Sequence, residues 1–162
     1  MVPPFLLVCC NSRQMNADEL EKYLHDHIPI SKGMGVSVVS AGIAGVVLES
    51  PLEPNINHRE TVFGGSASAL AILSGWSLMR IRLGETGIDC RIVIRRSEVD
   101  FTLPIEGRFR ARAALSKGAD WDRFLRSLKR RGKAKIEVVA VLMCGDLQVG
   151  SFKGTFAALG NE

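Results

Sequence analysis

From Val62 to Met79 the chain carries no charged residue: Val-Phe-Gly-Gly-Ser-Ala-Ser-Ala-Leu-Ala-Ile-Leu-Ser-Gly-Trp-Ser-Leu-Met. A helix bare of charge on every side cannot lie on a surface, so lipid or the rest of the protein must enclose it. A membrane span needs about 20 strongly apolar residues. This run is diluted by Gly64, Gly65 and Gly75 and by Ser66, Ser68, Ser74 and Ser77, and no second run accompanies it. A core helix is therefore expected, with the remaining chain wrapped around it. Such a helix can be packing and nothing more. Alternatively its start is a site, because Gly64-Gly65-Ser66 leaves backbone N–H groups free to meet a ligand.

The flanking sequence supplies the wrapping. At 162 residues, 46% hydrophobic and 23% charged, the chain is long enough for one domain whose core needs no staples. Cys9, Cys10, Cys90 and Cys144 show neither a CxxC nor a paired histidine spacing, so no metal site or disulfide framework is expected. Reduced thiols and a cytoplasmic location are the default. The net charge of +4 comes mostly from arginines and lysines beyond Met79. That bias suits an anionic ligand or an acidic partner protein as well as nucleic acid. Aromatics are only 6%, too few to build stacking platforms for single strands.

Residues 1–14 read as a loose extension. Their apolar part is too short and lacks the positive flank of a signal peptide; a lipidated Cys9-Cys10 pair is the other use considered. A single domain is expected over 15–162. Asn16 caps a helix to His27, with Leu20, Tyr23, Leu24 and His27 on one side, and Ile28-Pro29 ends it. Met34–Ser40 and Ile43–Ser50 alternate as strands around a tight Ala41-Gly42 turn. The proline-marked loop 51–56 delivers Asn57. The central helix is expected over Gly64–Leu83. Ile88–Phe101 is a strand whose parity slips after Ile94, calling for a bulge near Arg96-Ser97. Arg108–Leu115 puts Arg108, Arg110 and Arg112 on one face. Asp120–Arg131 reads as an amphipathic helix. Lys135–Met143 and Leu147–Phe156 form a last hairpin around Gly145-Asp146. The fold class is α+β: an antiparallel sheet of about six strands curled around the long central helix.

Here the chain resembles a hotdog-fold family, specifically the thioesterase subgroup found alone or fused behind an N-acetyltransferase domain. The resemblance is carried by Asn57-x-x-x-Thr61-x-Phe63-Gly64-Gly65-Ser66, by Gly75-Trp76, and by Ile94-Arg95-Arg96-Ser97 with Asp100-Phe101. It extends from Met15 onward. It implies a homodimer, or a dimer of dimers, with sheets joined edge to edge and acyl-thioester pockets at the subunit interface. It implies as substrate acyl coenzyme A or acyl carrier protein, with no cofactor beyond the coenzyme A or phosphopantetheine of the substrate itself. No metal, nucleic acid or membrane belongs to that expectation.

Thioester hydrolysis requires a polarised carbonyl, an aimed water and a base. Amides of Gly64, Gly65 and Ser66 suit the first task, helped by the helix dipole. Asn57 is the candidate to hold water or the carbonyl; its plainer use is to bond its own loop. Thr61 is expected to tie that loop to the helix start, and Ser66 and Ser68 to orient water. Thr61, Phe63, Gly64 and Ser68 form the candidate substrate wall. Glu60 is the nearest acid and Asp100 and His58 are further base candidates. The central helix lacks the carboxylate that many relatives carry there. Arg95 and Arg96, with Arg91, Arg108, Arg110 and Arg112, are candidates for coenzyme A phosphates or the acidic surface of a carrier protein. Lys129-Arg130-Arg131 reads as dipole matching at a helix end. Three functions follow: an acyl thioesterase, a non-catalytic acyl-thioester binding module, and, more weakly, a nucleic-acid-associated protein.

Overall fold

The structure, a computed structural model, describes residues 15–160. The expected extension, with Cys9 and Cys10, lies outside them. The chain opens with helix α1 (Ala17–His27). Asn16 Oδ1 accepts from the Glu19 amide at 2.9 Å and Glu19 Oε2 accepts from the Asn16 amide at 3.0 Å, a reciprocal cap. After Ile28 a single further turn forms, α2 (Pro29–Gly33). This turn goes beyond the expected end of the helix at Ile28-Pro29, and a proline at the first helical position favours it.

Strands β1 (Ser37–Ala41) and β2 (Val46–Ser50) follow. Their connection is four residues, not two: Gly42 and Gly45 exchange backbone bonds of 3.0 and 3.3 Å. Both strands are correspondingly shorter than expected. Helix α3 spans Gly64–Gly84. Then come β3 (Cys90–Phe101), β4 (Phe109–Leu115), α4 (Trp121–Arg131), β5 (Lys133–Cys144) and β6 (Leu147–Gly160). Asp120 Oδ1 caps α4 by accepting from the Arg123 amide at 2.8 Å.

The strands make one sheet in the order β1-β2-β4-β5-β6-β3, with every neighbouring pair antiparallel. This is the hotdog arrangement, a six-stranded sheet around a long helix. Concave-face residues Leu48, Phe109, Ala111, Val138 and Phe156 are buried, and they pack with Leu70, Ala71, Leu78 and Met79 of α3. The contact is close at Gly75, where an added Cβ would stand 2.9 Å from the Phe156 ring and 3.4 Å from Val138. Glycine is there for proximity of helix to sheet. From the other side, Tyr23 of α1 stacks beside Trp76 with 6.1 Å between ring centroids, and the Arg80 guanidinium lies 4.4 Å from the Tyr23 centroid.

Strand β3 is an edge of the sheet. Its register against β6 slips between Ile94 and Arg96, so Arg95 is the extra residue. The bulge therefore exists one position before the expected site. It lets Ile92, Ile94 and then Val99 face inward. No described helix is long and apolar enough to cross a membrane; α3 is enclosed by protein.

Candidate active site

The loop into α3 is tied down from within. A short 3-10 turn, Glu53–Asn55, ends at Asn55, which is 2% exposed. The Asn55 side-chain amide donates to the Met34 carbonyl at 2.9 Å and the Pro51 carbonyl at 2.8 Å. Its own carbonyl accepts from the Phe63 amide at 2.7 Å, while the Val62 amide donates to Ile105 at 2.8 Å. These bonds fix the last residues before the helix.

Asn57 organises the turn in between. Its Nδ2 donates to Thr61 Oγ1 at 3.0 Å and to the Val62 carbonyl at 3.4 Å. Its Oδ1 accepts from the amides of Arg59 at 2.7 Å and Thr61 at 3.3 Å. A carboxamide has two donors and two acceptor positions, and all are committed to the loop. These bonds are those of the plainer use expected of Asn57, within its own loop. Thr61 Oγ1 is held by Asn57 within the loop. Glu60 sits at the tip of this turn, exposed, with φ 61°, a left-handed backbone that costs a non-glycine residue roughly 1 kcal/mol.

Phe63 precedes the first helical residue with extended backbone, φ −60° and ψ 129°, and gives no side-chain cap. The amides of Ser66 and Ala67 donate to the Phe63 carbonyl at 2.9 and 3.2 Å. The Ser66 amide is thus bonded within the helix start. The amides of Gly64 and Gly65 have no partner among the described residues. They are the two donors at the positive end of the helix dipole.

A groove of about 320 Å³ opens beside them, lined by Thr61, Val62, Gly64 and the segment Phe101 to Ile105 that follows β3. Its surroundings are apolar and uncovered: Phe63 is 58% exposed, Phe101 49% and Leu103 46%. The Phe63 ring lies directly over Gly65, where an added Cβ would come within 2.2 Å of it; the Phe101 ring would stand 3.7 Å from a Cβ on Gly64. Two aromatic rings thus flank the peptide that carries the free amides.

None of the groove-lining residues titrates. Glu60, His58 and Asp100 are exposed, Ser66 and Ser68 are half-buried, and all five lie outside the lining. Cys90, the half-buried thiol of β3, is pushed above its usual pKa by burial and by Asp89, against the opposing pull of Arg80. That makes it a poor nucleophile at neutral pH.

The expected arginine face divides in two. Arg108 and Arg110 bind Glu49 at 3.0 and 2.5 Å, and Arg96 pairs with Glu98. Arg91, Arg95 and Arg112 are exposed without an ion pair among the described residues. Further cations without an ion pair among the described residues, Arg123, Arg126 and Arg130, are exposed on α4.

A six-stranded antiparallel sheet around a long central helix defines the hotdog class of fold. The family described as "Putative thioesterase (yiiD_Cterm)" matches residues 17–160, and the chain belongs to it. Among solved structures, a Chlorobaculum tepidum protein of unknown function superposes with TM-score 0.82 at 28% identity, over 91% of this chain and 99% of that one. A "putative thioesterase" of Shewanella oneidensis gives 0.78 at 24% identity, over 88% and 96%. A "Probable Thioesterase" of Pseudomonas aeruginosa gives 0.73 at 21% identity, over 89% and 96%. The last two bear on the fold.

Proposed function

We propose that the protein hydrolyses acyl thioesters carried on coenzyme A or on an acyl carrier protein. The observation that carries this is the pair of unpartnered Gly64 and Gly65 amides at the start of α3, where Gly64 lines an uncovered groove. A thioester carbonyl oxygen placed there accepts from both N–H groups, and the negative charge of the tetrahedral intermediate falls at the positive helix end. Water attacks the carbonyl carbon, the carbon–sulfur bond breaks, and the thiolate leaves to be protonated. Asn57 and Asn55 act through the loop, holding the amides in place.

The groove of one chain lacks a group to take the proton from water. Strand β3 supports a second copy as the source of the missing wall. It is a twelve-residue edge strand on which Val93 is 41% exposed, and a long open edge is a template for pairing. A homodimer joined along β3 sets the groove, which begins at Phe101, against the neighbouring subunit. Glu60, His58 or Asp100 of either copy is then available as base.

The test is release of free thiol across a panel of acyl-CoA and acyl carrier protein substrates. Turnover of at least one substrate, lost when the Gly64 amide is removed, supports the reading; none on any substrate refutes it. The groove's lack of a titratable side chain favours a second reading, an acyl-thioester binding module. That protein would melt at higher temperature with acyl-CoA present yet release no thiol.

A further inference from the structure

Helix α4 carries cations that the fold does not use. Arg123, Arg126 and Arg130 stand at i, i+3 and i+7, which places them on one helix face. Phe124 and Leu128 on the opposite face are buried against the sheet. All three arginines are exposed, and no carboxylate lies within ion-pair distance of them among the described residues. On the sheet, by contrast, Arg96, Arg108, Arg110 and Lys153 each hold a carboxylate. The helix dipole explains basic residues in the last turn but not Arg123, which sits in the first turn at the positive end. Neighbouring like charges at this spacing repel, so the stripe does not serve stability. Lys133, two residues past α4, and Arg91 are further exposed cations, in register on either side of Leu159.

We propose that this stripe docks an acidic carrier protein bearing the thioester, and that the carrier feeds the groove of a second copy of the chain. A guanidinium fork matches carboxylates in two-point geometry. The straight row covers roughly 10 Å of helix, which fits carboxylates on one facing helix. It is short for tracking the several phosphates of a nucleic-acid site, and α4 carries no exposed large apolar residue. Delivery in trans follows from the sheet. The stripe lies at the end where Cys90 pairs with Gly160, whose amide donates to Gly132, the C-cap of α4, at 2.7 Å. The groove begins at Phe101, the other end of β3. Eleven residue steps of strand make that separation roughly 36 Å, beyond the reach of a phosphopantetheine arm. A two-fold axis pairs an edge strand with its copy antiparallel. The Cys90 end of one subunit then meets the Phe101 end of the other, and the stripe flanks the partner's groove.

The inference rests on the thioesterase reading, and the experiment separates the two. Binding of an acyl carrier protein charged with a non-hydrolysable acyl amide is measured by calorimetry at several salt concentrations. The triple variant Arg123→Glu, Arg126→Glu, Arg130→Glu is expected to weaken binding by about tenfold or more and to flatten the salt dependence, with acyl-CoA turnover unchanged. Co-expressed copies of this variant and of Gly64→Pro are expected to regain turnover of acyl carrier protein as mixed dimers, while neither homodimer has it. Carrier binding unaffected by charge reversal overturns the docking surface. Lost binding without regained turnover in the mixed dimer overturns delivery in trans. Tighter binding of duplex DNA, abolished by the same variant, reassigns the stripe to nucleic acid and overturns the proposal. Salt-dependent carrier binding by a wild type that releases no thiol from any substrate sinks the thioesterase reading and supports the docking surface.

Discussion

Gly64 offers a substitution that removes one hydrogen and little else. It is the first residue of α3, where proline is well tolerated because no intrahelical bond is lost. Phe63 already has the extended backbone that a following proline demands. An added Cβ meets the Phe101 ring only at 3.7 Å, an ordinary contact. Gly64→Pro is therefore expected to lower kcat by about 10²–10³ while Tm holds or rises. Equal loss of Tm and activity would show that folding, not carbonyl polarisation, was damaged. Asn57 should behave differently. Asn57→Ala removes four loop bonds and should cost about 1–2 kcal/mol of stability, visible in urea unfolding. Asn57→Asp keeps the two acceptor contacts and should recover part of that stability. A purely chemical role for Asn57 would instead leave stability untouched in both variants.

At the scale of elements, helix and sheet touch at Gly75. Alanine there gains helix propensity of up to about 1 kcal/mol but drives a methyl to within 2.9 Å of the Phe156 ring. Overpacking in a closed core costs about 1–3 kcal/mol, so Gly75→Ala is expected to be destabilising, which a lowered urea midpoint would show. The β2–β4 pair carries a pH signature. Burial raises the Glu49 pKa, but hydrogen bonds from Arg110 and Arg108 outweigh it and hold the carboxyl below its usual value. A folded-state pKa below the unfolded one adds stability that is fully present above the ordinary carboxylate range. It is lost as pH falls through the folded value. Glu49→Gln should thus be less stable than wild type at neutral pH, with the gap closing on acidification. A gap that stays constant between neutral and strongly acidic pH would mean that the ion pair contributes nothing to folding.

For the whole molecule, the proposed homodimer rests on the open edge of β3 and the unfinished groove. An added charge on an edge strand opposes pairing, so Val93→Lys is expected to shift the sedimenting species from dimer to monomer and to abolish turnover together. Monomers that keep full activity would show that one chain suffices.

The uncharged segment Val62–Met79 had only one stable solution for a chain with no second apolar span, so the wrapped α3 was legible from residue order alone. So were the Asn16 and Asp120 caps, the Gly145-Asp146 turn and the need for a bulge in β3, because each rests on contacts between near neighbours. The family match was legible in the Asn57-to-Ser66 motif for the same reason. Which polar groups are left over was not legible. That Asn57 spends all its hydrogen bonds on its loop, that Ser66 loses its amide to Phe63, and that Glu49 takes up Arg108 and Arg110 depend on distances across the fold. The Arg123, Arg126 and Arg130 stripe was written in the sequence as spacing. Only the packed molecule showed that no carboxylate reaches it, because ion pairing is decided by where the chain returns in space and not by where a residue stands along it.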